Sequence, residues 1–105
     1  MKKILHGKRY DSSNAIIIGG HYASCSISDF SYWEATLYKT PRSSQYFLVG
    51  EGGPMSRFAQ SAGQNQWTGG SDLIPMIRKE ALEWACEHLD ADVVDKEFSD
   101  IIEDA

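Results

Sequence analysis

The sequence predicts an α+β domain, in which a small antiparallel β-sheet carries C-terminal helices packed on one of its faces. Two observations predict this class. Short segments with strand-like alternation, separated by turn residues, fill the chain up to Met76, and apolar residues at helical spacing follow. The 105 residues suit one domain, residues 1–105, and a hydrophobic content of 42% is sufficient for a core.

The N-terminal segment is predicted to form a hairpin from Met1–Leu5 and Lys8–Tyr10. The connecting residues, His6 and Gly7, suit a type I′ turn, which favours glycine at its second central position. The segment starts like a signal peptide, but basic and polar residues follow Leu5 and no apolar h-region develops. We therefore expect a cytoplasmic protein.

The next stretch admits two interpretations. Residues 11–13 are all N-cap types and favour a short helix through Ile18, which Gly19 would close. The three consecutive isoleucines, residues 16–18, favour a strand instead, because β-branched side chains suit a pleated surface. The sequence leaves both alternatives open, and we expect a loop over residues 20–29.

A central hairpin is the clearest strand signal. Ser31–Lys39 alternates in polarity, and Gln45–Val49 returns after a five-residue turn. Glu34 and Glu51 are candidates for paired carboxylates across this hairpin, although their separation does not follow from the sequence. The alternation assigns one face to Trp33, Ala35 and Leu37, and the other to Tyr32, Glu34, Thr36 and Tyr38.

The region after the hairpin is predicted to contain a helical turn over Ser56–Ala62 and a polar loop over Gly63–Gly70. Trp67 lies in that loop, where a large aromatic side chain either folds back onto the sheet or contacts a partner. Asp72–Met76 is predicted to be a short final strand, and Pro75 confines it to an edge or an end of the sheet.

Two helices are predicted at the C-terminus, over Arg78–Leu89 and Ala91–Ile102. Trp84 lies beside the apolar stripe of the first helix and is expected to be half-buried. The stripe of the first helix consists of Ala81, Leu82, Ala85, Cys86 and Leu89, and that of the second of Val94, Phe98 and Ile101.

The glycine-rich segment GEGGPMSRFAQ, residues 50–60, follows a predicted strand, which is where phosphate-binding loops occur. It matches neither the dinucleotide fingerprint nor the P-loop, because the required later glycine and the P-loop lysine are missing. We interpret it as the exit from a sheet, with Met55 and Phe58 docked beneath it. Glu51 and Arg57 are then exposed candidates for a functional role.

Charge is distributed unevenly along the chain. Residues 1–50 contain six Lys/Arg and three Asp/Glu, a net charge of +3, whereas residues 51–105 contain four Lys/Arg and twelve Asp/Glu, a net charge of −8. From Glu80 onward, ten carboxylates face one cation, Lys96. Such a block repels nucleic-acid phosphates and attracts basic protein surfaces.

No catalytic or metal-binding constellation is apparent in the sequence. His6, His21 and His88 lie in separate predicted elements, and none has the ligand spacing of a zinc site. His88 is expected to be an exposed histidine at a helix C-terminus. Cys25 and Cys86 are far apart and are expected to be free thiols. We therefore expect no enzyme activity, no metal and no cofactor.

Four segments carry a resemblance to a known kind of protein. They are HGKRYDS (6–12), YWEATLYKT (32–40), FLVGEGGPMSRFAQSAGQNQWTGG (47–70) and LIPM…EALEWACEHL (73–89). Together they resemble a family of small acidic proteins carried by phages, plasmids and conjugative elements of Gram-positive bacteria. Small proteins of that kind include anti-CRISPR inhibitors. The resemblance also leads us to expect Ser or Thr before the EALEW helix, where this chain has Ile77.

The charge pattern and the resemblance favour a non-enzymatic anti-CRISPR inhibitor that binds a CRISPR effector, Cas9-type favoured, without direct contact with nucleic acid or membrane. CRISPR effectors hold nucleic acid in basic channels, which suit an acidic partner. Two alternatives remain: a regulatory or immunity-type accessory protein of a mobile element, and a small enzyme or ligand-binding domain using the Gly50–Arg57 turn. The candidate partner-binding residues are Glu51, Arg57, Trp67, Glu87, Asp92, Asp95 and Asp100.

Overall fold

The computed structural model describes residues 1–22, 32–52, 60–63, 66–68 and 70–105, and for 60–63 and 66–68 it describes the backbone alone. Within these residues the chain forms a four-stranded antiparallel sheet, two two-stranded hairpins and two C-terminal helices, which confirms the predicted α+β class. The strands are β1 (Lys2–Leu5), β2 (Lys8–Asp11), β3 (Ile16–Tyr22), β4 (Trp33–Lys39), β5 (Tyr46–Gly52), β6 (Gln60–Gly63), β7 (Gln66–Thr68) and β8 (Gly70–Met76). The helices are α1 (Arg78–His88) and α2 (Ala91–Phe98), and 3-10 turns cover Ser12–Asn14 and Ser99–Ile101.

Strands β1 and β2 form the predicted N-terminal hairpin. His6 and Gly7 have φ angles of 52° and 76°, and positive φ at both central residues is the type I′ geometry that the sequence indicated. Asp11 then caps a short 3-10 turn, because its Oδ1 accepts a hydrogen bond from the Ser13 backbone N–H at 3.1 Å.

The three isoleucines belong to strand β3, so of the two interpretations the strand is correct and the longer helix is wrong. The expected loop over residues 20–29 is also wrong for Gly20–Tyr22, which continue the strand; the remainder of that range lies outside the described residues. Pairing with β4 explains the extension, since hydrogen bonding to a neighbouring strand holds two glycines extended despite their weak strand propensity.

The main sheet has the strand order β3-β4-β5-β8. The predicted central hairpin is confirmed: β4 and β5 pair antiparallel, with Leu37 opposite Leu48 and Glu34 opposite Glu51. Strand β8 lies at an edge of the sheet, as predicted. This position suits Pro75, which has no N–H to donate to a further strand.

The segment between β5 and β8 differs from expectation wherever it is described. Residues 60–62, part of the predicted helical turn, belong to strand β6, and Gln66–Thr68, within the predicted loop, form β7. Strands β6 and β7 pair antiparallel as a small separate ribbon. The sequence did not predict this ribbon, because its two strands are polar and short, and no alternation of apolar residues marks them.

The main core lies between the sheet and the helices. Side chains alternate across strands, so Ala35 and Leu37 point toward the helices while Glu34 and Thr36 point away from them. The buried residues of this core are Ala35, Leu37, Tyr46, Leu48, Ala81, Trp84, Ala85, Val94 and Phe98.

The structure corrects the predicted apolar stripes at three positions. Trp84 is buried rather than half-buried, with only 5% of its surface exposed, and Cys86 is exposed rather than part of the stripe. Compared with the predicted orientation, α1 is therefore rotated about its axis, so that the Trp84 indole rather than the Cys86 thiol faces the core. Ile101 is exposed instead of buried, because the chain leaves α-helical geometry after Phe98 and enters a 3-10 turn.

Helix α1 begins without the serine or threonine cap that the resemblance implies. The Ile77 backbone N–H donates a hydrogen bond to Glu80 Oε1 at 3.0 Å. This is one of the two hydrogen bonds of a capping box, and the Glu80 carboxylate also suits the positive end of the helix dipole. A polar side chain at position 77 is thus not needed for the helix to start there.

A smaller core lies on the opposite face of the sheet, beneath the N-terminal hairpin. It consists of the buried residues Tyr10, Phe47 and Leu73. The Tyr10 ring meets the Phe47 ring edge-on with centroids 5.6 Å apart, and Tyr38 stacks on Phe47 at 5.2 Å. The hairpin thus covers one part of this face. The part around Glu34 and Glu51, which no described element covers, is called the open sheet face below.

Candidate functional site

The structure separates the predicted partner-binding residues into two groups. Glu87, Asp92, Asp95 and Asp100 lie on the two helices and the turn that follows them. Glu51 lies on the open sheet face, because it alternates with residues that point toward the helices. Arg57 lies outside the described residues, and Trp67 is in β7, where only the backbone is described. Glu51 and the helical carboxylates therefore face opposite sides of the sheet.

Asp100 is already bound within the molecule. Its two carboxylate oxygens accept hydrogen bonds from Arg78 Nη1 at 2.6 Å and Nη2 at 2.5 Å. This guanidinium lowers the pKa of the Asp100 carboxyl, and the carboxylate raises the pKa of Arg78 in turn. Asp100 stays a predicted contact residue, but a cation from the start of α1 offsets its charge within the molecule.

Glu97 is a structural carboxylate that the sequence did not reveal. Its Oε2 accepts hydrogen bonds from Lys39 Nζ at 2.8 Å and from the Tyr46 hydroxyl at 2.6 Å. Burial acts to raise its pKa, but these two hydrogen bonds outweigh it and the net pKa is lowered. Arg78 Nη2 also donates to the Glu97 backbone carbonyl at 3.3 Å. Helix α2 is therefore tied to both the sheet and α1.

The remaining carboxylates of the helices form what we call the acidic helical surface: Glu83, Glu87, Asp90, Asp92 and Asp95. All five are exposed. Glu87 Oε2 lies 3.6 Å from His88 Nε2. Within the described part of the chain, the other four make neither a side-chain hydrogen bond nor an ion pair. Their charge is thus available to a partner, unlike that of Asp100 and Glu97.

An apolar cleft opens between the two helices inside this acidic surface, and we call it the inter-helix cleft. It has a volume of about 380 Å³. Asp95 lines it directly, and Glu87, Asp90 and Asp92 are adjacent in sequence to residues that line it. Its other lining residues are Cys86, Leu89, Ala91, Val94 and Ile102. An apolar centre with a charged rim is the usual anatomy of a protein-binding site.

The open sheet face carries a second, smaller acidic feature. Glu34 and Glu51 are directly opposite on neighbouring strands, as the sequence suggested, and the Tyr32 hydroxyl donates to Glu34 Oε2 at 2.6 Å. The Tyr32 hydrogen bond, with a further one from Glu51, lowers the pKa of Glu34. The same pairing raises the pKa of Glu51, so Glu51 takes up the shared proton first. The hydrogen bond to Glu34 also raises the pKa of Tyr32 to about 12.

This pair has a testable pH dependence. A carboxyl whose pKa rises on folding stabilises the fold at low pH, and that contribution is lost as the pH rises through the raised pKa. At neutral pH the two opposed charges repel. We expect Glu51→Gln to raise Tm by about 2 °C at pH 7, and to give no gain near pH 4, where the proton is already shared.

Glu34→Gln is the matched control in the same thermal unfolding experiment. It removes the same repulsion, but it also replaces the carboxylate that accepts the Tyr32 hydrogen bond, so its gain should be smaller. Equal gains from the two variants would show that the Tyr32 hydrogen bond to Glu34 does not stabilise the fold.

The structure also assembles an aromatic cluster that the sequence analysis missed. His21 and His88, assigned to separate elements, have ring centroids 4.9 Å apart, and His88 is packed against Trp33 and Trp84 rather than exposed as predicted. His21 faces the helices because the register shift between Ile17 and Gly19 interrupts the alternation along β3, and no sequence pattern marks that shift. Among the described residues, none accepts a hydrogen bond from the buried Trp84 indole N–H. In the described ranges, no group of three His, Cys, Asp or Glu residues is arranged to hold a metal.

Comparison with known proteins gives no match: no family model, curated protein or solved structure resembles the chain closely enough to be counted. These comparisons therefore add no support to the resemblance of the four sequence segments. Neither helix in the described part of the chain has the length and apolar character needed to cross a membrane.

Proposed function

We propose that this chain is a non-enzymatic inhibitor that binds a basic protein surface stoichiometrically through its acidic helical surface. One observation carries the proposal: Asp95 lines the apolar inter-helix cleft, Asp90 and Asp92 are adjacent in sequence to other lining residues, and none of these three carboxylates has a side-chain partner among the described residues. Side chains buried in such a cleft supply most of the binding energy, and the rim excludes water from them. The sign of the rim selects the partner, because like charges across an interface are strongly disfavoured.

The two helices suit this role because they are held rigidly. Glu97 links α2 to β4 and β5, and Arg78 links the start of α1 to Asp100 in the turn after α2. A surface that is already ordered loses little conformational entropy on binding. The carboxylates that hold the helices are separate from those of the acidic helical surface, so partner binding does not have to break the ion pairs.

The partner class we propose is a CRISPR effector, with the Cas9 type favoured. These effectors bind nucleic acid in basic channels and read a short flanking sequence with arginines. A rigid domain with an acidic face and an apolar centre would compete with nucleic acid for such a surface, blocking recognition or cleavage. Two observations support this class: the −8 charge of residues 51–105 and the resemblance of the four segments.

The first test compares two variants, each of which removes two carboxylates. One variant alters the helical side of the sheet and the other alters the opposite side. Asp92→Asn/Asp95→Asn alters the acidic helical surface, and Glu34→Gln/Glu51→Gln alters the open sheet face. Binding rates to a purified Cas9-type effector are measured at low and high salt. We expect the first variant to associate on the order of tenfold more slowly at low salt, with a smaller difference at high salt. The second variant should match the parent.

A third variant examines the centre of the site. Ile102→Ala shortens a side chain that lines the inter-helix cleft and should mainly speed dissociation, because contacts at the centre act on the lifetime of a complex. If the open-face variant loses binding and the helical variant does not, the proposed surface is wrong. If the parent binds no CRISPR effector, the partner class is wrong and the accessory-protein alternative is favoured.

A further inference from the structure

A polar pocket lies where the turn between β4 and β5 meets the start of α1 and the end of α2, and we call it the cationic pocket. It has a volume of about 400 Å³. Three cations and one carboxylate face this space, although the whole protein has a net charge of −5. It shares no lining residue with the inter-helix cleft. The residues that line the cationic pocket are Lys39, Ser44, Tyr46, Arg78, Lys96 and Glu97.

Two of the three cations are held in place by carboxylates. Lys39 Nζ donates a hydrogen bond to Glu97 Oε2 at 2.8 Å, and both Nη atoms of Arg78 donate to Asp100. An ammonium group has three N–H donors. The other two donors of Lys39 make no hydrogen bond with a described residue. The ammonium group is therefore fixed at the wall of the pocket with donors to spare.

Lys96 is the cation whose charge is not offset. Its side chain is exposed, and it forms neither an ion pair nor a hydrogen bond with any described residue. Because Glu97 offsets Lys39 and Asp100 offsets Arg78, the charge of Lys96 leaves the pocket positive. An anion in the pocket would pair with Lys96 without breaking an existing ion pair.

Ser44 supplies an independent observation. Its φ angle is 52°, in the left-handed region that favours glycine or asparagine. The turn is closed by hydrogen bonds from the Thr40 N–H to the Gln45 carbonyl and from the Gln45 N–H to Thr40 Oγ1, each at 2.9 Å. Ser44 lines the pocket, and its hydroxyl makes no hydrogen bond with a described residue. A serine at a position that suits glycine, with an unused hydroxyl, indicates that its side chain has a role beyond shaping the turn.

We infer that the cationic pocket binds a phosphate group, with Lys39 and Lys96 as charged contacts and the Ser44 hydroxyl as a neutral donor. A phosphate group carries up to two negative charges and three strong acceptor oxygens, so it suits donors that converge from several elements. Here the donors come from β4, from the turn and from α2. Lysine binds phosphate as a point charge, and Arg78 adds positive charge at the same wall.

The binding is expected to be weak and separate from the proposed inhibitor function. Exposed charges are screened by salt, so we expect a Kd on the order of 1 mM for so small a ligand. The acidic helical surface and the inter-helix cleft do not contribute to the cationic pocket. Either the inhibitor function or the phosphate site can therefore fail without the other.

The test is an NMR titration of the full chain with sodium phosphate, from about 0.1 to 20 mM, at an ionic strength held constant with sodium chloride. We expect saturable shifts of the amides of Ser44 and Lys96 and of their neighbours. A parallel titration with glycerol 3-phosphate identifies the source of the phosphate group. Tighter binding than that of the free ion indicates a phosphorylated small molecule, and equal or weaker binding indicates free phosphate. Shifts that do not saturate, or that chloride alone reproduces, overturn the inference.

Two variants and a matched control locate the site. Lys96→Gln should raise the Kd for phosphate about three- to fivefold, the range expected for one exposed charge pair. Lys79→Gln is the matched control, because Lys79 is also exposed on a helix but does not line the pocket, and it should bind like the parent.

Ser44→Gly separates a binding role from a structural one. Glycine adopts a φ angle of 52° without strain, so Tm should stay the same or rise. The loss of the hydroxyl should nevertheless raise the Kd for phosphate about threefold. A Kd equal to that of the parent in either Lys96→Gln or Ser44→Gly overturns the inference, as does an equal loss of affinity in Lys79→Gln and Lys96→Gln.

Discussion

Phe98→Ala should lower the free energy of unfolding by about 3–5 kcal/mol, because truncating a fully buried aromatic ring leaves a cavity as well as losing its contacts. Phe98 is 0% exposed, and its ring lies 5.4 Å from that of Tyr46 on β5. It is the largest side chain by which α2 packs on the sheet. Thermal unfolding followed by circular dichroism should show Tm falling by about 15 °C or more.

Ile101→Ala is the control for this result. Ile101 is three residues further along and 42% exposed, so its truncation should leave Tm within about 2 °C of the parent. If both variants unfold at the same temperature as the parent, α2 is not packed against the sheet. The acidic helical surface would then lose the rigid support on which the proposed function depends.

Glu97→Ala should have the second largest effect, a loss of about 2 kcal/mol. The substitution leaves the Lys39 ammonium and the Tyr46 hydroxyl, both on the sheet, without the carboxylate that they now contact at 2.8 Å and 2.6 Å. Hydrogen bonds to a charged group contribute about 1.5–3 kcal/mol, and the partly buried position reduces that only modestly. Denaturant unfolding at pH 7 measures the loss.

The pH dependence of this loss follows from the lowered pKa of Glu97. A carboxyl with a lowered pKa stabilises the fold above its ordinary pKa of 4.5, and the contribution disappears as the pH falls through the lowered value. The difference between parent and Glu97→Ala should therefore be largest at neutral pH and shrink below pH 4.5. Asp100→Ala, which removes an exposed partner of Arg78, should cost much less. Equal losses from the two variants would contradict the structural role of Glu97.

The fold class was predictable because its strongest signals are local. Alternation from Trp33 to Tyr38 placed the central hairpin, and helical spacing placed both helices. The ribbon of β6 and β7 was missed because polar strands that pair with a near neighbour carry no such signal. The rotation of α1 that buries Trp84 and exposes Cys86 was missed for a different reason: both residues border one stripe, and only packing against the sheet decides between them.

The charge of the candidate site was predictable from the sequence, but the ion pairs of its residues and the face of the sheet on which each residue lies were not. Counting carboxylates identified the C-terminal helices, and Asp92 and Asp95 lie there as exposed groups that form no ion pair with any described residue. Pairing between Asp100 and Arg78, 22 residues apart, depends on how the two helices cross, which no sequence pattern specifies. The separation of Glu51 from the helical carboxylates depends on strand register, since a shift of one residue would reverse its face.

Hydrogen exchange of the complex with a Cas9-type effector tests the central claim most directly, namely that the acidic helical surface is the contact. The expected result is slower exchange across the inter-helix cleft and α2, residues 86–98, with no change in the strands that carry Glu34 and Glu51. Slower exchange confined to β4 and β5, or no change in any part of the chain, would contradict the claim.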